Sequence, residues 1–261
     1  MKWDDVCFKT HFTEIEFSND VKFLYGVNTE TRKLIKRSSR TWELKKTFKV
    51  NEMSSISTLE FAWEKKSLWP SRWKYESSFC SRVARTNKLE LIKWAREEKK
   101  CEWDEYTITA AIKQGNMEMV KYCVTNECPI DEMARANAAE NGHLEVLKYL
   151  REEVKWPWDL LTATWAAQNG HLHILEYLVE RKYDEYDEYA CSRAAENGNL
   201  YCLKYVREIA KAPRDSTAAQ SADENGAYQC LQYLLDNNCP LPPGWVYEDG
   251  ELCDAYSESE Y

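Results

Sequence analysis

The stretch A-E-N-G-H-L-E-V-L-K-Y-L, residues 139–150, has counterparts along most of the chain. Its glycine recurs at positions 115, 142, 170, 198 and 226, at intervals of 27, 28, 28 and 28 residues, and Asn87 occupies the same column one step earlier. An aspartate stands eleven residues before each glycine, and an aromatic residue stands seven residues after it. Three columns that stay in register over five copies predict a repeat protein.

Each column has a physical role in a helix–turn–helix unit. The aspartate can accept hydrogen bonds from the free N–H groups of a first helical turn, so it predicts the start of a helix. The glycine can adopt a left-handed conformation at little cost, so it predicts the end of that helix about three turns later. Small residues such as Ala138 and Ala139 let neighbouring helices approach closely. A second helix follows from His143 to about Glu152. Its apolar residues cover too much of the helix circumference for packing on one side only. We therefore expect an all-α helix–turn–helix solenoid, in which each unit buries its apolar surface against the next.

The segments D-L-L-T-A-T-W-A-A-Q-N-G-H-L-H-I-L-E-Y-L-V-E-R-K (159–182) and A-A-E-N-G-H-L-E-V-L-K-Y-L-R-E-E-V-K-W-P-W-D (138–159) resemble ankyrin repeats. The period is shorter than the ~33 residues of that family, and the Thr-Pro-Leu-His tetrapeptide is absent. The chain is more similar to short-period ankyrin-like proteins with C-P-W-D loops, of which C-E-W-D (101–104) and C-P-I-D (128–131) are versions. The resemblance implies an ankyrin-like fold of about six units over residues 76–241 and a role in binding other macromolecules.

The two ends of the chain lie outside this array. Residues 1–75 are predicted to form a helical N-terminal cap that includes a degraded repeat, because a solenoid must cover its terminal apolar face. The segment around residues 10–45 faintly resembles the helical F-box pattern, which implies a substrate receptor of a ubiquitin ligase as an alternative. Residues 242–261 are rich in acids, and we interpret them as a solvated C-terminal tail.

Charge and composition limit the partners and the compartment. The formal net charge of −9 argues against nucleic acid as the main partner. However, residues 22–49 hold nine basic and two acidic residues, so nucleic-acid binding there stays a second alternative. No apolar run is long enough for a membrane span, and the N-terminus has no signal-peptide pattern. We expect a monomer in the cytoplasm, with the nucleus as the alternative, and the ten cysteines as reduced thiols.

No set of residues predicts catalysis, a metal site or a cofactor. Cys123 and Cys128 lack a second pair of ligands at zinc-binding spacing, and His171 and His173 do not share a helix face. The aspartates of the repeat column would stand one repeat apart, which is too far for an acid–base pair. No phosphate-binding loop or nucleophile motif is present. We therefore expect a protein that is not an enzyme and that acts as an interaction scaffold.

The candidate binding surface is predicted from positions of the first helix that vary between copies. By analogy with ankyrin repeats, the first helices line a concave face, and variable positions on that face are free to contact a partner protein. Leu160, Leu161 and Trp165 would form its apolar centre, although Leu161 and Trp165 could equally pack into the core. The predicted contact residues are Tyr106, Thr109, Lys113, Met133, Asn137, Leu160, Leu161, Thr164, Trp165, Tyr189, Ser192 and Arg193.

Overall fold

The computed structural model describes residues 32–33, 36–37, 49–53, 55–66, 69, 76–213, 216–248 and 251–254. The longer helices, numbered along the chain, are α1 (Ile56–Glu64), α2 (Ser77–Ala84), α3 (Leu89–Lys93), α4 (Glu105–Lys113), α5 (Met117–Thr125), α6 (Ala134–Glu140), α7 (Leu144–Lys148), α8 (Leu161–Gln168), α9 (Leu172–Glu180), α10 (Tyr189–Glu196), α11 (Leu200–Glu208), α12 (Ala218–Glu224) and α13 (Tyr228–Asp236). These helices alternate as the first and second helices of successive repeats from α2 onward. The predicted all-α repeat solenoid is therefore confirmed. None of the described helices combines the length and the hydropathy that crossing a bilayer requires.

The first helix of each repeat ends where the sequence predicts. Every residue of the glycine column has a positive φ, from 61° at Asn87 to 75° at Gly170. At Gly142, the added Cβ of any other residue would lie 2.8 Å from His171 Cε1 of the following repeat. Glycine therefore serves this column twice, because it permits the left-handed turn and leaves room for the next repeat.

The aspartate column starts helices in two different ways. The Leu161 N–H donates to Asp159 Oδ1 at 2.8 Å, and the Ala190 N–H donates to Asp187 Oδ1 at 3.0 Å. These two bonds confirm the predicted N-caps of α8 and α10. At Asp104, by contrast, the buried Oδ1 makes no hydrogen bond, and the backbone carbonyl accepts the Thr107 N–H at 3.0 Å. Asp104 Oδ1 therefore does not supply the predicted carboxylate cap, and the bond at this helix start is made by the main chain.

Two second helices contain a π-helical turn that the sequence pattern does not reveal. The turns Trp94–Glu98 and Tyr149–Glu153 directly continue α3 and α7. A π turn accommodates one extra residue without shifting the helix on either side. In these repeats, the left-handed residue after the second helix, such as Lys155, comes one position later than in the repeat of Gly170. The π turn thus keeps the repeats in register despite an insertion.

The chain divides into two compact units, of which the first comprises residues 1–111 and 118–129. An aromatic cluster in this unit joins α1 to α2. The ring centroids of Trp63 and Trp69 lie 5.2 and 5.1 Å from that of the fully buried Phe79. The Trp69 indole N–H also donates to the Ala62 carbonyl at 2.7 Å. Trp63 and Trp69 of the predicted cap therefore pack against the first helix of the array, α2.

The second unit comprises residues 112–117 and 130–261. Its first helices form a row, in which α6 packs against α8, α8 against α10 and α10 against α12. Alanines line these contacts with no exposed surface, which confirms that small residues bring the helix axes together. They are Ala138, Ala139, Ala163, Ala166, Ala167, Ala190, Ala194, Ala195, Ala218, Ala219 and Ala222.

The aromatic column stabilises the stack through its hydroxyl groups. A tyrosine on one second helix donates to a glutamate on or beside the preceding second helix. The pairs are Tyr122–Glu97 at 2.9 Å, Tyr177–Glu152 at 3.0 Å and Tyr233–Glu208 at 2.7 Å. Burial, together with the bond to Glu152, raises the pKa of Tyr177, so its hydroxyl stays protonated and available as a donor.

A small hairpin occupies part of the segment interpreted as an acidic tail. Strands β1 (Trp245–Glu248) and β2 (Glu251–Asp254) pair antiparallel, with Val246 opposite Cys253. Leu252 is buried, so the hairpin contributes to a packed surface. The description of residues 242–261 as a solvated tail therefore does not apply to residues 245–248 and 251–254. Neither short strand shows the alternation of apolar and polar residues by which a strand is recognised in a sequence, so the pattern does not reveal the hairpin.

Candidate functional site

The structure separates the twelve predicted contact residues by exposure. Six are exposed, three are half-buried and three are buried. The exposed ones are Tyr106, Lys113, Met133, Leu160, Tyr189 and Arg193. The half-buried ones are Thr109, Leu161 and Trp165, and the buried ones are Asn137, Thr164 and Ser192. Tyr106 and Thr109 belong to the first unit, and the other ten belong to the second.

The three buried residues do not face a partner, which corrects the prediction for them. Thr164 Oγ1–H donates to Asp187 Oδ1 of the next repeat at 2.5 Å. Asn137 Nδ2–H donates to the Met133 carbonyl at 2.9 Å, and Ser192 Oγ–H donates to the Tyr189 carbonyl at 3.1 Å. Their polar groups are engaged within the fold, and packing covers their side chains. Variation between copies at these positions therefore accompanies hydrogen bonds within the protein, either within one repeat or to the next repeat.

The sequence leaves open whether Leu161 and Trp165 belong to the contact surface or to the core, and the structure places them between these two cases. Both side chains are half-buried, so each contacts the packed helices and also reaches the surface. The Trp165 indole nitrogen is itself buried and has no hydrogen-bond partner among the residues that the structure describes. These two residues are therefore partly accessible to a partner, but they do not project into solvent as the exposed apolar residues do.

Three large apolar side chains project from neighbouring repeats of the second unit. Leu160 is 59% exposed, Tyr189 is 53% exposed and Met133 is 37% exposed. They precede or begin helices α8, α10 and α6, which pack in a row. Apolar side chains this exposed on adjacent elements are typical of interaction surfaces.

Hydrogen bonds between loops hold these residues along one edge. The Tyr183 hydroxyl group donates to the Asp159 carbonyl at 2.9 Å, so the loop before α10 lies beside Leu160. The guanidinium group of Arg135, on α6, donates to the Trp156 carbonyl at 2.6 Å. These bonds join three successive repeats at the starts of their first helices. We call the exposed residues here the loop-edge surface, which comprises Glu132, Met133, Leu160, Asp184, Glu188 and Tyr189.

Aromatic rings beneath the loop-edge surface support its loops. The Tyr183 ring centroid lies 5.5 Å from that of Trp158 and 4.9 Å from that of Tyr186, both in edge-to-face geometry. The Arg151 guanidinium group lies over Trp158 at 4.9 Å from the ring centroid. Burial raises the pKa of Tyr183, which keeps the hydroxyl group protonated as a donor. The loops are therefore held by a packed aromatic layer.

The charged residues near this edge divide into paired and unpaired groups. Arg193, a predicted contact residue, forms an ion pair with Glu196 at 2.7 Å, and Lys113 lies 3.5 Å from Glu140. By contrast, Glu132, Asp184 and Glu188 are exposed and form no ion pair with any residue that the structure describes. Glu132 and Glu188 stand at variable positions of the first helix, but the sequence interpretation did not select them as contact residues, and it missed Asp184 because that residue lies in a loop. The dense acids of K-Y-D-E-Y-D-E-Y, residues 182–189, are the signal that could have revealed two of them.

Arg135 is a buried charge that belongs to the fold. Its side chain is almost completely buried, and its guanidinium group lies 3.6 Å from Asp159. Burial lowers the pKa of Arg135, and the Asp159 carboxylate opposes this effect. Since Arg135 has no accessible surface, it is not a contact residue.

Three residues that follow the glycine column cap the preceding repeat. His143 Nε2 lies 3.1 Å from the Lys113 carbonyl, and His171 Nε2 lies 3.1 Å from the Glu140 carbonyl. Asn199 Nδ2–H donates to the Gln168 carbonyl at 2.6 Å. Each side chain therefore binds a terminal carbonyl of the preceding first helix. Within the described ranges, no group of three or more histidine, cysteine or acidic side chains could hold a metal ion.

The comparisons with known proteins agree with this architecture. A family model for ankyrin repeats, in three copies, matches residues 136–214. This range runs from within α6 to the loop after α11 and contains most of the loop-edge surface. None of the curated proteins compared with the chain matches it significantly. The match to ankyrin repeats over residues 136–214 indicates a protein–protein interaction module.

Proposed function

We propose that this chain is a non-catalytic scaffold that binds another protein on the exposed side of its first helices. The contact region would centre on Leu160 and Tyr189 and extend to Met133, Leu161 and Trp165. This is the part of the predicted concave face that holds the accessible apolar residues of the second unit.

The exposure of Leu160, Tyr189 and Met133 carries this proposal. Each lies beside well-packed neighbours, and a partner that covered all three would remove a continuous apolar strip from water. Burial of apolar surface is the main favourable term in association, and tyrosine is enriched among the residues that dominate interface energies. The bonded loops also favour binding, because less conformational freedom is lost when the partner docks.

The absence of catalysis is part of the proposal. Ankyrin repeat proteins are generally non-catalytic. Two charged groups within this edge have structural roles, since Asp159 caps α8 and Arg135 donates to the Trp156 carbonyl. The F-box-like segment at 10–45 and the basic segment at 22–49 lie almost entirely outside the described residues. They stay predictions without support from the structure.

The proposal is tested by removing the apolar contacts without disturbing the fold. In the test variant, Leu160→Ser and Tyr189→Ser are combined. In the control variant, Tyr201→Ser and Ile209→Ser remove two apolar side chains, 77% and 55% exposed, from α11 and its C-terminal end. Full-length chains fused to a proximity-labelling enzyme are expressed in cells, and labelled proteins are quantified by mass spectrometry.

We expect a set of proteins that the wild type and the control variant label equally and that the test variant labels at least tenfold less. Far-UV circular dichroism and the thermal midpoint should be the same for all three chains. Equal labelling by the test variant would refute the proposed contact region. A loss of labelling in the control variant as well would place binding on a different surface.

A further inference from the structure

We infer that the loop-edge surface binds a basic protein segment whose lysine or arginine side chains flank an apolar anchor. The anchor would rest on Leu160 and Tyr189, and the basic groups would meet Glu132, Asp184 and Glu188. This inference rests on the proposed function and adds the chemical class of the partner.

The first argument is that the free charge of this surface has one sign. Glu132, Asp184 and Glu188 are exposed, and no described residue forms an ion pair with them. Each stands within a few residues of an exposed apolar side chain, since Glu132 precedes Met133 and Glu188 precedes Tyr189. The nearest base in sequence is Arg135 for Glu132, Lys182 for Asp184 and Arg193 for Glu188. Arg135 is buried and Arg193 is paired with Glu196, so neither neutralises these acids. A partner that buries the apolar strip must therefore bring positive charge beside it.

The second argument is that two other acids of this edge, Asp159 and Asp187, are already committed to the fold. Asp159 accepts bonds from the Leu161 N–H and Thr162 Oγ1, both at 2.8 Å. Asp187 accepts bonds from the Ala190 N–H and from Thr164. These two carboxylates cap helices, whereas the three exposed ones have no such role. The exposed acids are therefore free to serve recognition.

The third argument concerns the alternative partners. A nucleic acid would place phosphates beside three uncompensated carboxylates, and this repulsion disfavours it. A purely apolar segment would gain the contacts of Leu160 and Tyr189 and would leave the acids unpaired at the rim. Opposite charges at a rim increase the association rate and select among partners. The surface thus distinguishes basic from neutral and acidic segments.

The experiment is a selection of random 12-residue peptides displayed on phage against the immobilised full-length chain. Recovered peptides are sequenced, and one synthetic peptide that represents the enriched pattern is labelled for fluorescence anisotropy. We expect enrichment of lysine or arginine next to an aromatic or branched aliphatic residue. Binding of the peptide should require Leu160 and Tyr189, as shown by its loss in the Leu160→Ser/Tyr189→Ser variant.

Charge is then tested with matched variants. Glu132→Gln, Asp184→Asn and Glu188→Gln, combined, should weaken peptide binding about tenfold, since each exposed pair contributes a fraction of that effect. The same peptide should bind the wild type more weakly as sodium chloride rises, because salt screens exposed charges. In the control, Glu153→Gln, Glu176→Gln and Glu180→Gln change the net charge equally on exposed acids of the second helices, and binding should be unaffected.

The outcomes separate this inference from the proposed function. If the recovered peptides require Leu160 and Tyr189 but contain no excess of basic residues, the inference is wrong and the binding surface stands. The same holds if both triple variants weaken binding equally, because the effect is then one of net charge. If no peptide is recovered, or if none depends on Leu160 and Tyr189, the inference and the proposed contact region both fail.

Discussion

The contact between Gly142 and His171 allows a quantitative test of how one repeat stabilises the next. Gly142 has a φ of +74°, and the Cβ of an alanine there would lie 2.8 Å from His171 Cε1. Gly226, in the last repeat, has a φ of +67°, and its Cβ would meet no atom within 4 Å. The substitutions Gly142→Ala and Gly226→Ala therefore share the backbone cost and differ in the contact with a following repeat.

The expected magnitudes follow from these geometries. A left-handed conformation costs a non-glycine residue about 1–2 kcal/mol, and the reduced freedom of the unfolded chain offsets a part of this. We expect Gly226→Ala to lower the free energy of unfolding by about 1 kcal/mol. At Gly142 the methyl group must also displace the His171 ring and break its bond to the Glu140 carbonyl, which adds about 1 kcal/mol or more. We therefore expect a loss of about 2–3 kcal/mol for Gly142→Ala.

The assay is urea denaturation of the full-length chain followed by far-UV circular dichroism. A double-mutant cycle with His171→Ala isolates the ring contact, because the alanine at 142 should cost less once the ring is absent. Equal losses for Gly142→Ala and Gly226→Ala, within about 0.5 kcal/mol, would refute the reasoning, as would strictly additive effects of Gly142→Ala and His171→Ala.

Two further predictions concern single side chains. Burial lowers the pKa of His171 below its value in the unfolded chain, so the unfolded chain takes up a proton first as the pH falls. The free energy of unfolding should therefore decline below about pH 6.5. The variant His171→Asn, which reproduces the capping side chain of Asn199, should flatten this decline in urea titrations across that pH range. Tyr177→Phe removes the hydrogen bond from the hydroxyl group to Glu152 and should lower the free energy of unfolding by about 1 kcal/mol. The control Tyr205→Phe breaks no hydrogen bond to a residue that the structure describes and should have a smaller effect. Equal effects in urea titrations would argue against a stabilising role of the Tyr177–Glu152 bond.

Local patterns in the sequence predict the repeat, the helix pairs and the turns correctly. The left-handed turn at Gly142 and the N-caps at Asp159 and Asp187 depend on residues only a few positions apart. Such features follow from backbone sterics and from the unsatisfied N–H groups of a helix start, so they can be read without tertiary information. The π turn at Tyr149–Glu153 is an exception, because one inserted residue can be accommodated in a helix or in a loop.

The binding surface shows where local patterns end. Thr164 and Leu160 both occupy variable positions, yet Thr164 is buried against the next repeat while Leu160 projects into solvent. A left-handed residue after a second helix is also hidden from the sequence pattern, since Lys155 adopts a φ of +62° without being glycine.

The sequence by itself therefore determined the repeat, its helices and the residues that start and end them. Only the tertiary structure decided which side chains of the first helices are accessible, which acids remain unpaired and why Gly142 must be glycine. The physical reason is the distance along the chain between the residues that interact. Helix ends depend on atoms within about one turn, whereas burial and pairing depend on the neighbouring repeat, whose residues stand nearly thirty positions away in the chain.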